Sequence, residues 1–383
     1  MRLVDEPRRR LPILVLLGAA VLFRIVQVGV AYSDRAWGYD YSAYHQAAER
    51  VLDGQPIYSA AQIAGAFPPQ EQYAYLYPPF LALVVTPLAA VFEDFRAAMV
   101  IWSAMGLIVL AAAVWSIGRR EGMRDTALVV PAAAAIALPA VGFELVMGNV
   151  HLLLVGLFAI AWLGVRSGTR NGELVAGASV GICLLIKVFP VLLILWFMLT
   201  RRYVAAVAGV ATAVVLVAVT IPAVGLQPWL DYPRVLANIG PPAELWSSIA
   251  PASLLAEFVG FTLARLIVVV LGLALLVWSA LRQPAAISYA VAIMVSLLVV
   301  PTMYIHYLGV AVVPLLLLAI NSRSALLPVL AYVALFAGSQ VGLIDLQPVA
   351  SRVLALIGAM APLVALALVG SIGRRTGKEP QAA

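Results

Sequence analysis

Pro79-Phe80-Leu81-Ala82-Leu83-Val84-Val85-Thr86-Pro87-Leu88-Ala89-Ala90-Val91-Phe92 is the stretch on which the threading of this chain turns. It is apolar throughout, yet as a helix it reaches only about 21 Å, against the ~30 Å of a hydrocarbon core. The arginines decide between crossing and not crossing. The first apolar run, 11–32, follows Arg8-Arg9-Arg10 and reads as a retained span with its N-terminus inside. Gly29-Val30-Ala31 is a weak match to a signal-peptide cleavage site. If 79–92 crossed, Arg119, Arg120 and Arg124 would fall outside. If it does not, they fall inside, and so do Arg166, Arg170, Arg201, Arg202, Arg282, Arg323, Arg374, Arg375 and Lys378. Short basic loops stay on the cytoplasmic side. The stretch is therefore expected to be an interfacial or re-entrant helix on the outer face.

Outward from it, the apolar runs are 97–117, 126–143, 150–165, 174–186, 188–200, 203–222, 261–281, 285–300, 307–320, 325–343 and 353–372. With 11–32 these make about twelve spans, both termini cytoplasmic. Runs 174–186 and 188–200 are short and read as a hairpin of half-length helices meeting near Lys187, with Pro190 in the first turn of the second. The whole chain, 1–383, is one transmembrane domain. It carries a first outer loop with juxtamembrane helices (33–96), a second outer loop (223–260) and a disordered cytoplasmic tail (374–383).

Composition agrees. The chain is 64% hydrophobic and 11% charged, where a soluble domain is nearer half apolar and a quarter charged. This is an all-α polytopic protein of the plasma membrane. The net charge of +6 belongs to loop arginines facing an anionic leaflet. They form no continuous stripe, which argues against nucleic acid. A single cysteine, Cys183, permits no disulfide within the chain. No Walker or Rossmann glycine motif is present. One cysteine and three scattered histidines offer no zinc spacing. No Asp-x-Asp pair occurs in the first outer loop to hold a nucleotide sugar through a metal.

This topology collects the chemically useful residues at the outer face: Asp34, Asp40, Glu144, Asn149, His151, Lys187, Tyr304 and His306, with Trp229, Asp231, Arg234, Glu244 and Trp246 in the second outer loop. A purely structural protein has no reason for that asymmetry. Asp40 opens an amphipathic stretch, with Tyr41, Tyr44, Ala48, Val51 and Leu52 at helical spacing and Gly54 as its stop. Two readings stand side by side: an N-cap, or a general base for a hydroxyl, with Asp34 the alternative base. Tyr73, Tyr75 and Tyr77 alternate before Pro78-Pro79, as an interfacial aromatic belt or as rings that stack on a sugar. Glu144 is expected to pair with Arg24 inside the bundle, and His151 to be a hydrogen-bonded core histidine. Lys187 is one of only two lysines among 24 basic residues. It sits between two apolar runs, where an ammonium is costly, and reads as a ligand for a lipid phosphate. His306, on a polar aromatic turn, can hold a phosphate or steer a proton, or simply sit at the interface.

Taken together these residues resemble glycosyltransferase family 87, the polyprenyl-phosphate-mannose-dependent membrane mannosyltransferases of the GT-C class. The family's aspartate, tyrosine-containing helix, Gly-x-x-x-Tyr and Tyr-x-Tyr-Pro-Pro appear here as Asp40, Tyr44, Gly54, Tyr58, Tyr75, Tyr77, Pro78 and Pro79. Its Gly-Gln-x-Asn is replaced by Gly148-Asn149-Val150-His151, a departure at both polar positions. Its glycine-rich run into Lys-x-x-Pro is matched by Gly177, Gly181, Lys187 and Pro190. Its Ser-Pro…Trp-x-His element is matched at Pro301 and His306, with Val300 and Tyr304 replacing the usual residues.

The resemblance implies a GT-C-type bundle with its active site outside the cell. The donor would be a polyprenyl-phosphate sugar, mannose foremost and a pentose such as arabinose in relatives. The acceptor would be a glycolipid or polysaccharide at the membrane lipid surface. Asp40 would be the base, and Lys187 and His306 would hold the donor phosphate. Tyr44, Tyr75, Tyr77, Glu144, Asn149, His151 and Tyr304 would contact substrate. No metal or other cofactor is implied. The competing readings are a secondary transporter, whose usual plan also has about twelve spans, and a lipid-linked oligosaccharide flippase or ligase.

Overall fold

The computed structural model describes residues 7–34, 37–67, 74–240, 248–340 and 348–375. In chain order the helices are α1 (Pro7–Ala31), α2 (Tyr39–Leu52), α3 (Ala60–Ala64), α4 (Pro79–Val91), α5 (Phe95–Arg120), α6 (Asp125–Ala137), α7 (Pro139–Met147), α8 (His151–Ser167) and α9 (Arg170–Ile186). There follow α10 (Val191–Leu199), α11 (Tyr203–Val224), α12 (Gln227–Asn238), α13 (Pro251–Val259), α14 (Phe261–Arg282), α15 (Ala285–Leu298), α16 (Val312–Asn321), α17 (Leu326–Gly338) and α18 (Pro348–Arg375). A 3₁₀ segment, Ile305–Ala311, leads into α16. Among the described residues the one β-bridge joins Phe67 to Ile239.

The all-helical expectation holds. The twelve-span count does not emerge: among the described residues five helices are long and apolar enough to cross a membrane. A sixth is made if α6 and α7, bent by 58° at a short break, form one span. Runs counted as spans in the sequence fold as shorter apolar helices, among them α8, α15 and α17. The break in the α6–α7 pair has a local cause. Pro139 lacks an N–H and pushes Leu138 out of helical geometry, leaving the Ile136 and Ala137 carbonyls at the end of α6 without helical partners. Arg24 of α1 supplies them. Its Nε donates to Ile136 O at 2.7 Å, and its Nη2 to Ala137 O and Leu138 O, both at 2.7 Å. Arg24 is therefore committed to backbone, and the expected Arg24–Glu144 pair is not formed. Burial favours this use, because irregular backbone in an apolar bundle must be satisfied by protein.

α4 is a 13-residue helix with proline at its first turn, packed mainly on α2. α9 is longer than a half-helix, whereas α10 has only 9 residues, and Lys187 lies at the junction as expected. α9 and α11 pack backbone to backbone. A Cβ on Gly177 or Gly181 would strike the carbonyl of Ala205 or Gly209, the small-residue contact by which helices approach in lipid. The segments expected as two separate outer loops meet as one cap. Asn238 donates to Gln62 O and Ile63 O, each at 3.0 Å, and Tyr58 stacks on Tyr232. At the C-terminus α18 runs through Arg375, so Arg374 and Arg375 belong to a helix and not to a disordered tail. Residues 376–383, Tyr73, Glu244 and Trp246 lie outside the described residues.

Candidate active site

α2 starts on Gly38, which adopts a left-handed conformation (φ 67) and donates its N–H to Val146 O at 2.8 Å. This joins the start of α2 to the end of α7. It also makes Gly38 the N-cap, so Asp40 sits inside the first turn and its side chain makes no cap bond. The capping reading of Asp40 fails for that reason. The far end follows the sequence expectation: Gly54, with φ 63, follows the last turn, and Gln55 N–H reaches back to Arg50 O.

Asp40 is turned instead toward Asn149, which follows α7. Gly148 makes the turn with φ 72, and a Cβ there would come 2.6 Å from Tyr41 Cβ and collide with Met99. The Asn149 amide is the hub. Its Nδ2 donates to Asp40 Oδ2 at 2.9 Å and to the Tyr77 hydroxyl at 3.2 Å, and lies 3.4 Å from His306 Nε2. Its Oδ1 accepts from Val150 N–H at 2.7 Å and faces Lys187 Nζ at 3.5 Å. Trp102 Nε1 holds the Asn149 carbonyl at 3.2 Å.

His306 arrives from the 3₁₀ segment, its Nε2 3.3 Å from Asp40 Oδ2. Tyr304 stacks on its ring at 5.9 Å and 12°. Lys187 arrives from the end of α9, where extended backbone (φ −155) carries it out of the helix. Its Nζ lies 3.0 Å from His151 Nε2, 3.8 Å over the Tyr307 ring and 5.3 Å over the Tyr77 ring. Behind it, Glu144 Oε2 lies 3.0 Å from His151 Nδ1, and Glu144 Oε1 accepts the His151 backbone N–H at 2.5 Å. Glu144 thus pairs with His151, three helices having brought carboxylate, imidazole and ammonium into line.

Exposure sorts these residues. Asp40 keeps 24% of its side chain accessible, and Lys187, Tyr304 and Tyr307 are half-buried. Glu144 and His151 are sealed behind them. Tyr44 and Tyr75 are also fully buried, Tyr44 edge-on to Tyr77 and Tyr75 bonded to Pro78 O at 2.7 Å, so neither offers a face to a sugar. Asp34 is exposed in the turn after α1, where its carbonyl accepts from Arg96, and the network above is built without it. Burial pushes the Asp40 carboxyl above the usual range, while the Asn149 hydrogen bond and the Lys187 charge pull it back. Burial also pushes the Lys187 ammonium down to about 7, against the pull of Glu144 and Asp40.

The histidines are not scattered in space. Glu144, His151 and His306 bring one ligand atom each within 4.8 Å of one another. In the structure His151 spends Nδ1 on Glu144 and Nε2 on Lys187 Nζ.

The chain matches the family model described as Glycosyltransferase family 87 over residues 75–301, more than half its length. It belongs to that family. The protein is therefore a membrane glycosyltransferase, and the transporter reading is set aside. No curated protein matches the chain. The matched stretch of this glycosyltransferase holds Tyr77, Glu144, Asn149, His151 and Lys187. Asp40 lies before it and His306 after it, and the fold brings both to the same Asn149 amide. Sequence reasoning passed over Tyr307, whose ring lies under the ammonium. Its position beside His306 was the available signal. The hub role of Asn149 had none, since the side chains it joins are 38 to 157 residues away.

Proposed function

We propose that the enzyme transfers a hexose, mannose foremost, from a polyprenyl-phosphate donor to a hydroxyl of a glycolipid or polysaccharide acceptor at the outer face of the plasma membrane, in a GT-C-type arrangement. One observation carries the reading: a partly accessible carboxylate and a half-buried ammonium meet in one cluster, bridged by a single amide. The acceptor oxygen attacks the anomeric carbon as its proton passes to Asp40. The bond from the anomeric carbon to the phosphate oxygen breaks, and the lipid phosphate leaves as a stable anion. A general acid is then dispensable, and Lys187 stabilises the charge that develops. His306 lies beside Asp40 and beside the Asn149 amide that reaches Lys187, which suits it both to the phosphate and to steering the abstracted proton. A single displacement on a β-linked donor yields an α-linkage. No step calls for a metal.

The test is transfer by the purified protein in detergent, with synthetic polyprenyl-phosphate mannose and polyprenyl-phosphate arabinose offered in parallel to glycolipid acceptors. Mannosylated product is expected, and Asp40→Asn is expected to lower turnover by about 10²–10⁴-fold. Arabinosylated product alone would overturn the choice of sugar. Consumption of neither donor would overturn the donor class. Full turnover by Asp40→Asn with a dead Asp34→Asn would move the base to Asp34.

A further inference from the structure

Glu144 and His151 are almost wholly buried and offer a substrate next to no surface, yet they are polar and sit against Lys187. Glu144 comes from α7, His151 is the first residue of α8, and Lys187 follows α9. With Glu144 ionised its carboxylate accepts, so His151 donates from Nδ1, and its Nε2 carries a lone pair. That lone pair faces Lys187 Nζ at 3.0 Å. The opposite tautomer would point an N–H at an ammonium.

We propose that Glu144 and His151 are positioning residues, a carboxylate–imidazole pair that sets the His151 tautomer, and through it aims and holds the charged Lys187 amine at the donor phosphate. The proposal rests on the reading of Lys187 as the phosphate-holding residue. Lysine has a flexible four-carbon stem and three donors. Here one donor is taken by His151 Nε2, a second points toward Asn149 Oδ1, and the Tyr307 ring supports the head from below. One donor remains for a ligand. The same arrangement spreads the compensation of a buried charge over a chain of hydrogen bonds. The titratable groups facing Lys187 are Glu144 from α7, His151 from α8, Asp40 from α2, Tyr77 from the segment before α4, and His306 and Tyr307 from the 3₁₀ segment.

The experiment measures binding of a polyprenyl monophosphate, the leaving group itself, to the full-length protein in detergent across pH. The variants are Glu144→Gln, His151→Gln, Lys187→Ala, Lys187→Arg and the double variants Glu144→Gln/Lys187→Ala and His151→Gln/Lys187→Ala. Thermal unfolding is followed alongside. Glu144→Gln and His151→Gln are each expected to weaken binding about 10- to 100-fold, the worth of one hydrogen bond to a charged group, and to move the alkaline loss of binding to lower pH. Lys187→Arg is expected to remove that alkaline limb, because a guanidinium stays charged. On Lys187→Ala, neither second substitution is expected to add a further loss. Should Lys187→Ala weaken binding while Glu144→Gln and His151→Gln leave both affinity and limb unchanged, the positioning role is overturned and the phosphate role of Lys187 stands. Losses that add in full on Lys187→Ala also overturn it. Should Lys187→Ala itself bind normally, the phosphate reading falls, and the relay with it. A variant that unfolds is replaced in the comparison by the other member of the pair.

Discussion

The two ends of the α8–α9 hairpin are built from the same kinds of side chain and put to opposite uses. At one end Arg119 pairs with Asp125 at 2.8 Å, Arg166 with Glu121 at 3.2 Å and Arg202 with Glu173 at 3.5 Å. These arginines reach water, and the Arg119–Asp125 pair is more than half exposed on both sides. At the other end, one helix length of about 25 Å away, Asp40, Glu144, Asn149, His151, Lys187 and His306 share a network that is mostly closed to solvent. Exposed pairs contribute little, because water screens them and competes for them. Buried polar groups must be satisfied by one another, so each partner matters. The arginine end is therefore replaceable charge, and the other end is fixed chemistry.

The largest effect that tests this contrast is expected from Asn149→Ala. It removes the amide that joins Asp40 to Lys187 and leaves a partly buried carboxylate without its donor. Turnover should fall about 10- to 100-fold. The pH profile should change in a stated direction. Burial already raises the Asp40 carboxyl, and the Asn149 hydrogen bond opposes that rise. A base works deprotonated, so activity increases with pH through this group, and losing Asn149 should shift the acid limb to higher pH. An unmoved limb would remove Asp40 from the role of base.

Next in size is a matched pair of glycines, one at each end. Gly148 and Gly168 both end a helix in the left-handed region, at φ 72 and φ 68. A Cβ on Gly148 meets Tyr41 and Met99, whereas one on Gly168 meets nothing within 4 Å. Gly168→Ala should cost only the backbone penalty of about 1–2 kcal/mol. Gly148→Ala should lower the melting temperature more and reduce turnover as well. Equal melting temperatures for the two variants would show that the site end is no tighter than the other.

The smallest effect is expected from Arg119→Ala. Turnover should match the unsubstituted enzyme and stability should change by no more than about 0.5 kcal/mol. A loss of turnover there would erase the distinction between the ends.

Much of the architecture was legible in the sequence. Composition alone marks an all-helical membrane protein, and the arginine pairs sort the loops that now lie together at one end of the hairpin. The helix stop at Gly54 and the break at Lys187 are local signals: one residue's backbone preference in the first case, and the cost of a charge between apolar runs in the second. The count of spans was less legible, because apolar runs do not record where a proline breaks a helix inside them. α10, with 9 residues, and the bent α6–α7 pair show this.

Asp40, Lys187 and His306 could each be singled out from sequence, as polar residues in apolar surroundings or at the start of an amphipathic helix. Their convergence could not. The side chains that Asn149 joins lie 38 to 157 residues from it in sequence, and hydrophobic periodicity carries no information over such distances. The same limit explains why Glu144 was assigned to Arg24. Both are buried and opposite in charge, but Arg24 faces the Ile136 and Ala137 carbonyls freed at the end of α6, while Glu144 faces the start of α8. The sequence by itself determined the helical, membrane-borne character of the chain and the few polar residues it tolerates, because both follow from local composition and spacing. Only the tertiary structure decided which of those residues meet, because a buried polar group takes whichever partner the packing of distant helices brings within reach.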